Sequence, residues 1–303
     1  MALVNQGADL VVGQGITQAL NAAGQKGYGI GTFGALSGGW SRYDTGSHVD
    51  MASVNLLAGL SSGVDLTPGR LTLGAFFEYG SGSYDTYNSF AGIGSANGDG
   101  DAYHLGGGVL GRMDFDAGPG KFYTEGSIRA GGVHNDYKND NLRDAMGRSA
   151  GGYDSDSAYY GIHAGFGYIW KFTEQASLDL YGKYFWTRQQ GDDVRLSTGD
   201  QVKFEDVDSH RLRLGGRLAY AVNEYVNPYI GAAYEHEFDG KAKATTYGYG
   251  IDSPELAGGT GIGELGLTLK PAKNLPLSCD LGVQGYVGRR EGVTGSLQVK
   301  YEF

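Results

Sequence analysis

Val293-Thr-Gly-Ser-Leu-Gln-Val-Lys-Tyr-Glu-Phe303 closes the chain, and it alternates. At odd positions Val293, Leu297, Val299, Tyr301 and Phe303 are apolar; at even positions Thr294, Ser296, Gln298, Lys300 and Glu302 are polar. Successive side chains of a strand point to opposite faces, so this segment reads as a strand with one dry and one wet face. The same dyad runs upstream. Leu277, Cys279, Leu281, Val283 and Val287 alternate with Ser278, Asp280, Gln284 and Tyr286, and Leu265, Leu267 and Leu269 with Glu264, Thr268 and Lys270. Leu212, Leu214 and Leu218 alternate with Arg211, Arg213 and Arg217, and Phe122, Ile128 and Ala130 with Tyr123, Glu125, Ser127 and Arg129.

Extended along the chain, the pattern predicts twelve strands, near 29–41, 51–64, 70–84, 102–115, 121–135, 156–170, 177–190, 207–222, 226–239, 258–271, 277–290 and 293–303. Short connections fall at Asp65–Gly69, Asp116–Gly120, Thr173–Ala176, Asn223–Tyr225 and Ala272–Pro276. Long ones, rich in Asp, Asn, Gly, Ser and Lys, fall at 85–101, 136–155, 191–206 and 240–257. Short turns at one end and long loops at the other are the layout of an outer-membrane barrel.

Composition narrows the alternatives. Gly supplies 55 of 303 residues, Tyr 22, Phe 12, Pro 6 and Cys 1, and the formal charge is −10. A single Cys excludes a disulfide scaffold and a Cys-based zinc site. Aromatics at 12% are too frequent for a disordered tract. The acidic balance lacks the basic footprint of a nucleic-acid binder. A mean hydropathy of −0.32, with no apolar run of membrane-helix length, would suit a soluble protein. It also suits a barrel whose strands each present a polar face inward. Strands of 11–15 residues, against about 5–6 in soluble proteins, favour the membrane. So do aromatics near strand ends, at Tyr79, Tyr84, Tyr103, Tyr159, Tyr160, Trp170, Trp186, Tyr301 and Phe303. The expected fold is therefore an all-β membrane protein, a 12-stranded antiparallel transmembrane β-barrel in a bacterial outer membrane.

Residues 1–27 contain no aromatic, no basic n-region and no continuous apolar h-region, so they are not a signal peptide. Leu3, Ala8, Val11, Val12, Ile16, Ala19, Leu20 and Ala23 fit a helical period, weakened by Gly7, Gly13 and Gly15. A helix from Asn5 to Gly24 would be about 30 Å long, close to the hydrocarbon thickness. Twelve strands leave room for one helix, so an N-terminal α-helix inside the pore is expected, with residues 1–27 as pore segment and linker and 28–303 as the barrel. A plain N-terminal linker is the alternative.

The helical segment at 5–24, twelve strands and a closing strand ending in Leu297-Gln-Val-Lys-Tyr-Glu-Phe303 together resemble the C-terminal translocator domain of the autotransporters, the type V secretion proteins of Gram-negative bacteria. The resemblance implies a larger precursor with a signal peptide and a secreted passenger ahead of this domain, and the start inside a helix looks like an excised C-terminal fragment of one. It implies insertion by the outer-membrane barrel-assembly machinery, which reads the last strand through Val299, Tyr301 and Phe303. It further implies outward threading of the passenger as a hairpin, with the helix left in the pore. Lipid and lipopolysaccharide would surround a monomer. Some members cut themselves between two pore Asn residues; here Asn5 and Asn21 stand apart with no Asn-Asn pair, which favours an uncleaved or truncated form.

Other motifs are weak. Gly29–Gly34 and Gly106–Gly111 match the dinucleotide fingerprint but open no helix of a βαβ unit. Gly59-Leu-Ser61-Ser-Gly63 and Gly147-Arg-Ser149-Ala-Gly151 match a nucleophile elbow without its strand-to-helix turn. The His residues at 48, 104, 134, 163, 210 and 236 are scattered, and His236-Glu237 lacks the second His of a zinc helix. No catalytic, cofactor or metal residue is assigned, and the domain reads as a non-enzyme. A small-solute porin is one alternative. An omptin-like protease using Asp192, Asp193, Asp208 and His210 at the rim is a more distant one.

The expected site is a lumen charge cluster. Arg211, Arg213 and Arg217 share one strand face and point inward with Glu78, Glu125, Asp179, Glu235 and Glu264 as candidate partners, because like charges in a confined space need counter-charges or water.

Overall fold

The structure of the protein, a computed structural model, describes residues 1–23, 30–67, 69–90, 93–139, 141, 143, 146–147, 151–251, 253–269 and 277–301. Gly29, Ser149, the Ala272–Pro276 connection and the terminal Phe303 lie outside the described residues.

Twelve antiparallel strands close into one barrel. They are β1 (Ile30–Asp44), β2 (His48–Leu66), β3 (Gly69–Phe90), β4 (Ile93–Ala117), β5 (Gly120–Asn139), β6 (Tyr153–Lys171), β7 (Ala176–Gln189), β10 (Val207–Tyr220), β11 (Val226–Glu237), β14 (Gly258–Leu269), β15 (Leu277–Gly288) and β16 (Arg290–Tyr301). The last strand meets the first from Thr32 opposite Tyr301 to Tyr43 opposite Arg290, so the sheet keeps no open edge. That closure is what lipid demands of backbone polar groups. β8 (Asp193–Arg195), β9 (Gln201–Phe204), β12 (Ala244–Thr246) and β13 (Tyr249–Ile251) form a separate four-stranded sheet in the order β13-β12-β9-β8.

Exposure identifies the outer face. Leu297 and Val299 are 40% and 41% exposed, whereas Gln298 between them is 3% exposed. The apolar side of each strand therefore faces outward and the polar side inward, the reverse of a soluble barrel. Tyr79, Tyr103, Tyr160 and Trp170 are exposed on that outer face. Tyr84 and Tyr159, expected in the same belt, point inward instead: Tyr84 packs beside the cluster around Leu3, and Tyr159 is fully buried, its hydroxyl donating to Glu78 at 2.7 Å.

The expected long loop at 85–101 is not a loop. β3 and β4 continue their pairing through Asp85 opposite Asp99 up to Asn88 opposite Ala96. Beyond Tyr79 and Tyr103 both faces of this hairpin carry polar residues, so the polarity alternation that marks a strand fades although the backbone ladder continues.

The N-terminal segment is helical from Ala2 to Ala22: α1 (Ala2–Leu10), a π-helical stretch at Val11–Gly15, and α2 (Ile16–Ala22). At 1.5 Å per residue it spans roughly 31 Å. Leu10, Val11, Val12, Ile16, Ala19 and Ala22 pack against inward Phe33, Ala35, Leu57, Phe76, Leu110 and Phe185. The protein's main apolar core thus lies inside the barrel, between the helix and its wall. This departs from a uniformly polar lumen, and the apolar stripe of the helix is the reason.

Candidate functional site

The site is the occupied pore. Both β1 and β16 meet the barrel end that carries the short turns, and the helix leads into β1. Its N-terminus therefore lies at the long-loop end, where Leu3 clusters with Tyr43, Met51 and Ala102 and is covered by Leu256 of the 238–257 connection.

Amide side chains make the first set of contacts. The Asn5 side-chain amide donates to Ser209 Oγ at 3.0 Å, Gln6 donates to the Tyr43 hydroxyl at 2.9 Å, and Ser53 donates to Gln6. Lower down, Gln18 donates to Gln298 Oε1 at 2.6 Å. A second set runs from wall cations to helix carbonyls. Arg129 donates to Val4 O at 2.6 Å, Arg211 to Asn5 O at 3.3 Å, and Lys183 to Val12 O at 3.2 Å. Val12 lies in the π-helical stretch, where the wider turn disturbs the usual carbonyl partners, and Lys183 supplies a donor from the wall. At the C-terminal end Arg70 donates to Ala23 O at 3.1 Å, a cation where the helix dipole favours one.

Charge is concentrated at one level. Asp9 lies 2.8 Å from Arg211, 2.7 Å from Arg213 and 3.1 Å from Arg290. On the wall Glu235 lies 3.3 Å from Arg211 and 2.6 Å from Arg213. Arg211 and Arg213 lie over Phe185, with guanidinium carbons 4.6 and 5.1 Å from its ring centroid, and Arg290 lies 3.7 Å over Tyr286. Three buried guanidiniums are thus held by two carboxylates and two aromatic faces, an arrangement in which each charge has a partner.

The other residues expected at the site fall into separate groups. Arg217 forms a bidentate pair with Glu264, at 2.6 and 3.0 Å, and Gln284 donates to the same carboxylate. Glu78 pairs with Arg129 at 2.8 Å rather than with the β10 arginines. Glu125 pairs with Lys183 at 2.9 Å, with Arg112 at 3.7 Å. Asp179 accepts the Tyr123 hydroxyl at 3.0 Å. The structure therefore brings together Arg211, Arg213 and Glu235, pairs Arg217 with Glu264, sets Asp179 opposite Arg217 in the β7–β10 ladder with its carboxylate bonded to Tyr123, and places Glu78 and Glu125 elsewhere on the wall. Sequence reasoning missed Asp9 and Arg290. The available signal was that Asp9 is the sole charged side chain in residues 1–25.

Of the assembly residues, Val299 lies outward on β16, Tyr301 ends that strand, and Phe303 lies outside the described residues. Gly106–Gly111 and Gly59–Gly63 lie inside β4 and β2, so neither forms the turn its motif needs. Among the described residues no group of three or more His, Cys, Asp or Glu side chains is disposed to hold a metal ion.

The sequence matches the family model described as Autotransporter beta-domain over residues 30–282. No curated protein matches it significantly. Among solved structures, the fold is similar to the translocator domain of autotransporter NalP from Neisseria meningitidis, at 13% identity, covering 99% of this chain and 98% of that one, with a TM-score of 0.67. It is similar to the beta domain of the Bordetella autotransporter BrkA, at 16% identity, covering 91% and 100%, TM-score 0.66. The transport unit of the autotransporter AIDA-I from Escherichia coli matches at 17% identity, covering 96% and 98%, TM-score 0.64.

Proposed function

The chain belongs to the autotransporter beta-domain family, and from that premise we propose that its pore segment is a resident plug, held after secretion by the charge cluster around Asp9. The domain is the outer-membrane translocator and anchor through which an N-terminal passenger reaches the cell surface. The porin and protease readings are not favoured. The observation that carries the plug reading is the helix lying along the lumen with Asp9 between Arg211, Arg213 and Arg290.

The roles of the parts follow from this geometry. Outward Leu, Val and Phe meet the acyl chains, and the long loops meet lipopolysaccharide in the outer leaflet. Val299, Tyr301 and Phe303 on the closing strand form the signal read by the barrel-assembly machinery. Arg217–Glu264, Glu78–Arg129 and Glu125–Lys183 neutralise the wall so that it meets the helix with few unpaired charges. The unit works as a monomer, since a closed barrel offers no sheet edge to a neighbour. It has no catalytic role of its own. Residues 1–27 act as pore segment and linker and 28–303 as the membrane unit.

Surface display tests the transport reading. A signal peptide and a small reporter joined ahead of Met1 should place the reporter on intact Gram-negative cells, where added protease removes it. A reporter that stays protected while the barrel is folded in the outer membrane would overturn this function.

A further inference from the structure

Residues 1–25 carry one charge, Asp9, and the barrel wall gathers three guanidiniums around it. Those guanidiniums come from two separate places, Arg211 and Arg213 on β10 and Arg290 at the start of β16, so the barrel itself fixes the point they define. The apolar packing and the carbonyl contacts of the helix are less particular. The apolar stripe meets an apolar wall, and one Val or Leu can replace another there. Arg129, Lys183 and Arg70 donate to backbone carbonyls, which every residue offers. Amides recur at Gln6, Gln14 and Gln18. A helix displaced by one turn toward the long loops could remake the carbonyl contacts and much of the apolar packing, though Leu10 and Ala22 would replace Gln6 and Gln18 and Val11 would meet His104 and Arg129 where Gly7 now lies. Of the charged contacts, only one position places a carboxylate among the three arginines.

We propose that Asp9 is a register pin: the carboxylate sets the depth and rotation at which an outward-moving chain comes to rest in the pore. The wall then presents a cationic layer, relieved on its own side by Glu235 in direct contact and by Glu237 beside it, that waits for the single acid of the pore segment. Two roles divide along the helix, with small and apolar residues filling the lumen and Asp9 deciding where the filling stops. The inference rests on the secretion reading for its biological consequence, whereas the register itself is read from the folded protein alone.

Moving the acid by one turn is the test. Gly13 is a suitable recipient, because a Cβ built there meets nothing within 4 Å, so an added carboxylate imposes no steric push. The six residues 24–29 can reach roughly 20 Å, ample for a shift of about 6 Å. Register is reported by cysteine cross-linking on a background in which the native Cys279 is replaced by Ser. In the parent protein Gln18→Cys should link to Gln298→Cys, because those side chains are hydrogen-bonded. In the Asp9→Asn, Gly13→Asp protein that link should be lost and Ala22→Cys should link to Gln298→Cys instead, a displacement of one turn toward the long loops. Asp9→Glu should keep the parent link. An unchanged Gln18–Gln298 link after the acid is moved would overturn the pin and reduce Asp9 to a stabilising contact; loss of both links would overturn it equally. Either result leaves the surface-display test of secretion standing on its own.

Discussion

Gly31 carries no side chain because the end of α2 occupies the space one would fill. A Cβ there would stand 1.9 Å from the Ala22 carbonyl oxygen. Gly31→Val should push the helix end off β1 and cost about 1–3 kcal/mol, as overpacking does. Gly285 on the outer face is the control, since a Cβ there meets nothing within 4 Å. The folded-barrel gel shift on heating should drop for Gly31→Val and hold for Gly285→Val; equal behaviour would remove the close-approach argument. At this scale the inward direction of Arg211, Arg213 and Arg217 was legible, because a period of two leaves no freedom once one residue on the strand is placed. Their partners were not. Glu235 stands beside Arg213 because the register of the β10–β11 hairpin sets it there, which alternation within a single strand does not report, and Asp9 joins them only through the rotation of a helix whose glycines blur its period. One class of residue was written in the sequence and went unread. Phe76-Phe77, Leu56-Leu57 and Val109-Leu110 break the alternation with apolar doublets, and in each pair one residue faces out while Phe76, Leu57 or Leu110 packs on the helix.

Among the elements, the twelve barrel strands were legible and their upper ends were not. Alternation marks a strand only while its two faces meet different solvents. Above the membrane both faces of β3 and β4 carry polar residues, so Asp85, Thr86, Asp99 and Asp101 read as loop although they are paired. The loop sheet escaped for a related reason, since its strands are three or four residues long and give periodicity nothing to count. Its base is fastened at Asp206, which accepts the Gly191 backbone N–H at 2.8 Å and also pairs with Arg188. The backbone hydrogen bond, and after it Arg188, hold the Asp206 carboxyl below its ordinary value. A lowered folded value means that the clasp is fully present above the unfolded carboxylate range, about pH 4, and is lost as pH falls through the folded value. Amide hydrogen exchange over 191–206, corrected for intrinsic rates, should be alike at pH 7 and pH 5 and rise only below about pH 4. Asp206→Asn should show the raised exchange at pH 7. Protection that fades between pH 7 and pH 5 would assign the clasp to some other group.

For the whole molecule, connection lengths alone predicted an up-and-down barrel, and an even strand number puts both barrel ends on the short-turn side, which orients the helix with its N-terminus toward the long loops. What connection lengths leave open is how tightly the lumen is filled, and that is set by long side chains rather than by topology. Arg211 and Arg213 reach from β10 to Asp9 and form the charged bridge between the helix and the β10–β11 wall, beside the Asn5–Ser209 hydrogen bond. Arg211→Ala together with Arg213→Ala removes that bridge without touching the ladder that closes the barrel, because β10 keeps its register with β7 and β11 through backbone pairing. Asp9 then retains Arg290, so the helix stays in the lumen, less firmly held and with open volume beside it. Single-channel current in planar bilayers should therefore rise above that of the parent and stay below that of a barrel lacking residues 2–22. Because the deleted helix also uncovers Phe33, Leu57, Phe76, Leu110 and Phe185 to lumen water, that barrel should also be the least heat-stable of the three. Unchanged current in the double variant would show that the arginines do not set the width of the path, and unchanged current in the helix-deleted barrel would sink the plugged lumen itself.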